Sequence, residues 1–353
     1  MARRLVFLGA GHAHAEALRV FARRPVVGAV LTLVSPYTEV PYTGMVPGVV
    51  AGRYRLREAS IDAGDLAARA GARFVKAKAL RIDRARNAVL CDNGQEIPYD
   101  VLSINIGAVA RNPLLAGGGA AILPTKPVEP FIAAIEAATV KDVVVVGGGY
   151  GGIELAAALS LRGARVSLIA GRAGLAPAAP KAARAMLARR LGLRGVNVIA
   201  DADAVSADGA GVTLEGGRAL AAEAVILAAG VAPGPLITAL DLPKDGAGFL
   251  AVTPTLQSPA DAAIFAAGDC AAFAGLPKAG VFAVREGPLL AANLAAALTG
   301  GAPAPYRPQA DYLALVSFWP DGAVAVRGRV AAEGRWADRW KEKIDRRFIA
   351  RFR

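Results

Sequence analysis

The chain opens with a short apolar run, Leu5-Val6-Phe7-Leu8. It breaks on Gly9-Ala10-Gly11-His12-Ala13-His14, and a stretch read as a helix follows over His12–Phe21 before a second apolar run at Ala29–Val34. The same order returns later. Val143–Val146 leads into Gly147-Gly148-Gly149-Tyr150-Gly151-Gly152, an Ala/Leu-rich helix to Leu161, and a strand at Arg165–Ile169. Short apolar runs bounded by glycine read as strands buried on both faces. Each copy therefore predicts strand, glycine turn, helix and strand within about 30 residues, the size of a dinucleotide-binding βαβ unit. Three more apolar strands are expected at Tyr99–Ala108, Ala224–Gly230 and Ala263–Asp269. A helix follows from Gly280 or Val281 to about Leu298. The tail predicts two alternating strands, Tyr312–Phe318 and Ala323–Val330, around an Asp321-Gly322 turn, then a basic helix. The fold class is α/β, with two Rossmann-like dinucleotide-binding units.

Each glycine turn has a mechanical reason. The first glycine permits the tight turn, the second lets backbone N–H groups approach a pyrophosphate, and the helix start adds partial positive charge. Gly9, Gly11, His12 and Ala13 are the expected donors in the first copy, where His14 stands at the third glycine position. Gly147, Gly149 and Gly152 supply all three glycines of the second copy, with Tyr150 between them. Both copies lack the acid that ordinarily meets the ribose: Ser35, followed by Pro36, replaces it in the first, and Ala170-Gly171-Arg172 in the second. Arg172 in that place favours a 2′-phosphate and leans the expectation toward NADPH.

Composition narrows the classes. With 353 residues, 54% hydrophobic and 20% charged, the chain can bury a large core in two or three intertwined domains, which excludes disorder. Two cysteines, Cys91 and Cys270, exclude a disulfide scaffold, a cysteine-type zinc site and any Cys-x-x-Cys relay. His12 and His14 are the only histidines, so no metal site is expected. The run after Arg3-Arg4 is too short for a signal peptide, and Gly287–Tyr306 is broken by Asn293, Gly300, Gly301, Pro303 and Pro305. The expectation is a soluble, cytoplasmic protein with free thiols. A net charge of +12 admits nucleic acid, membrane surface or anionic cofactors.

In this order the landmarks resemble the two-dinucleotide-binding flavoproteins, the FAD- and NAD(P)-dependent pyridine nucleotide–disulfide oxidoreductases, over nearly the whole chain. Leu8–His14, Pro41–Gly48, Thr125-Lys126-Pro127, Lys278–Gly287 and Lys343–Phe348 resemble one branch. That branch is also found fused in front of selenophosphate synthetase and is related to type II NADH dehydrogenases and sulfide:quinone oxidoreductases. The resemblance implies an FAD domain over 1–115 and 245–308, an NAD(P) domain over 116–244 and a C-terminal interface segment over 309–353. FAD would meet Gly9, Gly11, His12, Ala13, Ser35, Pro36, Gly44, Met45, Ala79, Ile106 and Gly107. From the later segments it would meet Gly268, Asp269, Ala279, Gly280 and Val281. NAD(P)H would meet Gly147, Gly149, Tyr150, Gly152, Arg172 and Gly230. Glu154, Lys126 and Lys278 are the implied catalytic groups near flavin and nicotinamide.

From Arg335 to Arg353 the chain holds eight Lys/Arg and three acids, with Trp336, Trp340, Ile344, Phe348 and Phe352 at i+4. This pattern fits a helix lying on an anionic bilayer, or one docked on its own domain or in a homodimer; no nucleic-acid module is recognisable. Deleting 335–353 is expected to abolish liposome binding and leave FAD content unchanged. The leading expectation is hydride transfer from NAD(P)H to flavin and onward to a quinone-like or other small acceptor. The alternatives are a flavin dehydrogenase of a selenium- or sulfur-linked reductant, and a non-catalytic redox sensor. The expected location is cytoplasmic, peripheral on the inner face of the membrane.

Overall fold

A computed structural model describes residues 2–112, 114–116, 121–138, 140–208, 210–273 and 275–353. Two parallel sheets organise it. In the first, the spatial order is Gln257–Ser258, Asp261–Ala266, Val101–Ile104, Arg3–Leu8, Ala29–Ser35 and Ala72–Lys76, parallel except for the outermost Gln257–Ser258. The second runs Ala121–Pro124, Ala224–Leu227, Asp142–Val146, Arg165–Ile169 and Asn197–Ile199, all parallel. The fold is α/β with two Rossmann-like sheets.

Alternation along Arg3–Leu8 explains its unbroken apolar run. Leu5 and Phe7 join the core under the helix His12–Arg23, with Leu18, Phe21 and Leu290. Val6 and Leu8 enter a separate core on the opposite face, with Val89, Ile97 and Leu102. Side chains of a strand alternate between faces, so a strand covered on both sides is apolar throughout. The helix Gly280–Thr299 crosses His12–Arg23 so closely that a Cβ on Gly287 would stand 2.4 Å from Glu16 Cβ and 2.8 Å from the Ala13 carbonyl. That helix is long and apolar enough to cross a membrane, yet half of the qualifying stretch is buried within the protein.

The tail departs from expectation in two ways. The second predicted strand is two, Ala323–Arg327 and Val330–Gly334, folded at Gly328, whose φ of +54° suits glycine. The helix Arg335–Ala350 does not present one continuous aromatic stripe. Phe348 and Phe352 are buried, whereas Trp336, Trp340 and Ile344 are 48%, 44% and 40% exposed. Ala337, Lys341, Asp345 and Ile349 turn inward beside them. Arg351 pairs with the fully buried Glu16 at 3.1 Å, Arg69 binds the Phe352 carbonyl, and Arg353 reaches the carbonyls of Arg57 and Glu58. The tail is part of the core, which removes the ground for expecting its deletion to spare FAD binding.

Candidate functional site

At the C-terminal ends of the first sheet lies a cleft of about 500 Å³. Strands ending at Leu8, Ser35 and Ile104 deliver Gly9, Gly11, His12, Ser35, Pro36, Ile106 and Gly107 to its wall. Ala79, Lys126, Asp269 and Gly280 complete it from other segments. Gly9 has φ +87°, and a Cβ there would meet the Asn105 carbonyl at 2.5 Å; one on Gly11 would meet Asn105 Oδ1 at 2.3 Å. Both glycines are therefore required by the close approach of Asn105, a residue that sequence reading passed over. Its Oδ1 accepts from the N–H groups of Ala13 (3.1 Å) and His14 (3.2 Å), and its Nδ2 donates to the Ala267 carbonyl (2.7 Å). A lone amide inside the apolar run Ile104-Asn105-Ile106 was the available signal.

Asn105 corrects the expected donor set. The Ala13 N–H is already engaged and Ala13 is fully buried, off the cleft. Gly9 N–H goes to Val34 O and Gly11 N–H to Asn105 O, which leaves the His12 amide unpartnered among the described residues. The His14 imidazole fills the third glycine position. Its Nδ1 lies 2.6 Å from the Gly9 carbonyl, which can only accept, so Nδ1 carries the proton and Nε2 accepts from Ser103 Oγ at 2.8 Å. Burial holds this imidazole neutral, its pKa pushed down to about 4. His12 is likewise depressed to about 4 by burial, with Asp269 and Lys126 nearby. Its Nε2 is buried without a partner among the described residues, and its ring lines the cleft and faces the rings of Tyr42 and Phe348.

Other expected contacts are moved. Lys126 and Asp269 both line the cleft, but as an ion pair with each other rather than as separate charges. Gly44, Met45, Gly268, Ala279 and Val281 do not line the cleft, whose wall there is formed by their neighbours Thr43, Asp269, Gly280 and Ala283. Gly268 N–H donates to the buried Glu286 carboxylate at 2.7 Å, which fixes the Gly268-Asp269 turn. Lys278 points away: its ammonium binds the Ala271 carbonyl and sits 3.9 Å over the Phe249 ring, and burial lowers its pKa.

At the second glycine turn, Gly147 has φ +130° and donates to Ile169 O, and a Cβ on Gly152 would lie 2.0 Å from Gly147 O. Gly149 precedes the helix Tyr150–Leu161 with open space above it, and Tyr150 is half-buried. Gly230 is exposed and its carbonyl accepts from Arg111 N–H. Arg172 differs from expectation. Its guanidinium pairs with Glu215 at 2.8 Å and its N–H donates to Asp203 Oδ1 at 3.1 Å. Carboxylates missing from the end of the strand thus arrive from later segments, and the Arg172 charge is already answered.

Comparison with known proteins agrees with this layout. The pattern of the family described as pyridine nucleotide-disulphide oxidoreductase matches residues 3–291. The chain belongs to that family. It is 30% identical over 197 residues to a nitric oxide reductase FlRd-NAD(+) reductase of Klebsiella pneumoniae, covering 54% of this chain and 52% of that protein. It is 28% identical over 285 residues to demethylphylloquinone reductase NdbB of Synechocystis sp., covering 74% and 70%. The chain therefore spans about half the length of the first of these relatives. The solved sulfide:quinone oxidoreductase of Aquifex aeolicus superposes with a TM-score of 0.78 at 19% identity, over 100% of this chain and 92% of that one.

Within the pyridine nucleotide-disulphide oxidoreductase fold, the cysteines of this member are both free and buried. Cys270 Sγ faces the carbonyls of Ile104 and Ala267, and burial pushes its pKa up to about 12, so it stays a thiol. Glu154, on the second glycine-turn helix, is buried and does not line the cleft. Its Oε1 accepts from Ser317 N–H at 2.9 Å and lies 3.8 Å from Lys341 Nζ. Burial outweighs that cation and raises the Glu154 pKa to about 7. Lys341 also binds Asp345 Oδ2 (2.9 Å) and the Gly44 carbonyl, linking Glu154 to the loop behind the cleft. Burial opposes its charge, but Glu154 and Asp345 outweigh that and hold it protonated above the usual lysine range. Lys341 and Asp345 escaped sequence reading because an i,i+4 charge pair in a basic helix reads as solvated surface.

Proposed function

We propose that this chain is an FAD-dependent NAD(P)H oxidoreductase that passes electrons to a quinone-like acceptor without a cysteine relay. The observation that carries the reading is the cleft itself. A glycine-lined crevice at the strand ends, an unpartnered His12 amide, an orphaned His12 Nε2 and the Lys126–Asp269 pair fit a dinucleotide's pyrophosphate and polyol chain. FAD, when bound, supplies a carrier that takes two electrons from a reduced nicotinamide and yields them to an acceptor. The chain's part is to bind and to set charge. Gly280, opening a 20-residue helix, turns positive partial charge toward the cleft, where it stabilises developing negative charge. Glu154, half-protonated near neutrality, holds a proton for the acceptor.

The same reading assigns FAD to segments 1–115 and 245–308 and the nicotinamide to 116–244. The Arg172–Glu215 pair and Asp203 beside Gly171 support NADH at least as well as NADPH. Trp336, Trp340 and Ile344 stand half out of the surface on a helix rich in Arg and Lys, which supports docking at an anionic membrane where a quinone would be met. Anaerobic mixing with NADH and NADPH in parallel tests the core of this reading. Bleaching of the visible flavin band is expected with at least one of them. A purified chain that neither carries nor takes up FAD refutes it.

A further inference from the structure

A dinucleotide whose pyrophosphate lies on a glycine turn sends its adenosine ribose to the tip of the following strand, where an acid ordinarily takes the 2′-hydroxyl. After the second glycine turn that strand is Arg165–Ile169, and its tip touches the turn directly. Gly147 N–H donates to Ile169 O, and Ala176 N–H donates to Gly148 O at 2.7 Å. A Cβ on Gly148 would stand 2.8 Å from Ala170 Cβ. Yet the tip carries no acid of its own, since Ala170 ends in a buried methyl and Gly171 has no side chain.

Asp203 lies just beyond the neighbouring strand Asn197–Ile199, which pairs in parallel with Arg165–Ile169, so both segments leave the sheet at the same edge. A Cβ on Gly171 would stand 2.1 Å from Asp203 Oδ1, and Gly171 holds a φ of +67°. The Asp203 carboxylate therefore fills the space that a side chain at 171 would take. A glycine at the strand tip admits an acid delivered from the next strand along. Two bonds hold that acid in place: Oδ1 accepts the Arg172 N–H at 3.1 Å, and the Asp203 carbonyl accepts the Glu215 N–H at 2.9 Å. Bracing the Arg172 N–H uses one carboxylate oxygen and none of the charge. Oδ2 has no hydrogen-bond partner among the described residues, and Asp203 is exposed. Arg172 is turned to Glu215 Oε2 at 2.8 Å, so one cation stands against two carboxylates at the strand tip.

We propose that Asp203 is the residue that selects between the nicotinamide dinucleotides: its free oxygen accepts the 2′-hydroxyl of the adenosine ribose of NADH, and its charge repels the 2′-phosphate of NADPH. The assignment rests on the reading of the second glycine turn as the nicotinamide-dinucleotide site. It runs against the NADPH expectation that Arg172 raised, because Glu215 already answers the arginine's charge.

The test is isothermal titration of the flavin-loaded full chain with NAD+ and NADP+, which leave oxidised flavin unreduced, so the heat reports binding and no turnover. The parent chain is expected to bind NAD+ at least tenfold more tightly than NADP+. Asp203→Asn keeps an acceptor for the Arg172 N–H but loses the charge; it should weaken NAD+ about fivefold and strengthen NADP+ by a similar factor. Asp203→Ser should shift the ratio in the same direction. Asp201→Asn, at an exposed acid two residues away that pairs with Arg218 at 2.9 Å, is the charge control and should leave the ratio as it was. Thermal melting of each variant checks the fold. A parent chain that binds NADP+ as tightly as NAD+ overturns the role of Asp203. So does a ratio unmoved in both Asp203 variants, or moved equally by Asp201→Asn; in each case the second turn stands as a dinucleotide site. Binding of neither nucleotide to the parent chain overturns the reading of that turn, and the role of Asp203 with it.

Discussion

The C-terminal helix offers a sharp separation between folding and docking. Replacing Trp336, Trp340 and Ile344 together by serine removes side chains that are 48%, 44% and 40% exposed. Exposed positions of this kind change stability by about 0.5 kcal/mol or less each. Their outward surface, taken as roughly half of each tryptophan and somewhat less of the isoleucine, amounts to roughly 300 Å², or about 7 kcal/mol as an upper estimate of transfer into an apolar interface. Basic neighbours add about 1 kcal/mol each near an anionic surface. Phe348→Ala is the counter-variant. Phe348 is 4% exposed, with Tyr42 at 4.3 Å between ring centroids and His12 at 6.0 Å. Its truncation costs about 3–5 kcal/mol and loosens the wall of the cleft. The assay is sedimentation with vesicles containing anionic phospholipid, alongside thermal melting and flavin content. The triple serine variant should lose vesicle binding and keep its melting temperature and flavin; Phe348→Ala should lose melting temperature and flavin. Undiminished vesicle binding in the triple variant, with an intact fold, refutes membrane docking through this face.

Three further outcomes are expected. Glu154 carries its proton up to about 7 in the folded chain, against the ordinary value of 4.5. Between these values the folded state binds a proton that the unfolded state has released, so this group's contribution to stability falls as pH rises through that window. Glu154→Gln should flatten that part of the stability–pH profile measured by denaturant titration, and acceptor reduction in the parent chain should decline above pH 7. Asn105→Ala frees the Ala13 and His14 amides and the Ala267 carbonyl together; melting should report a loss of about 1–3 kcal/mol, with lower flavin occupancy after purification. Glu215→Ala releases Arg172 from its ion pair, and steady-state kinetics should show KM for NADPH falling while KM for NADH stays within about twofold.

The two glycine turns were legible because the conformations they need belong to almost no other residue. Positive φ at Gly9 and Gly147, and the collisions a Cβ would make at Gly11 and Gly152, are constraints a sequence displays openly. The double-faced strands were equally plain, since burial on both sides leaves no polar position to confuse the period. What stayed hidden has one physical character: it depends on partners far apart in the chain. Asn105 reaches over 90 residues back to cap the first helix, and Lys341 reaches Gly44 across 297 positions. Arg172 looked like a phosphate ligand until Glu215 and Asp203 were brought beside it, and Lys278 like a flavin cation until it settled on Phe249.

The tail is the instructive case. Its i+4 aromatic period is real, yet the period says only that five side chains share a drifting face, and a 16-residue helix can bury one end of that face and expose the other. Charge misled in the same place. Of the basic residues that suggested a solvated or lipid-facing surface, Lys341 is turned inward to meet two buried carboxylates, and Arg351 closes on the buried Glu16. A buried cation is stable only with such partners; Asp345 comes from the same helix as Lys341, while Glu16 and Glu154 come from the first and second glycine-turn helices. The segment that looked like an appendage is therefore the element whose cations meet a buried carboxylate from each dinucleotide-binding half, Arg351 at Glu16 and Lys341 at Glu154. An acid poised near neutrality at that junction is a consequence of their meeting.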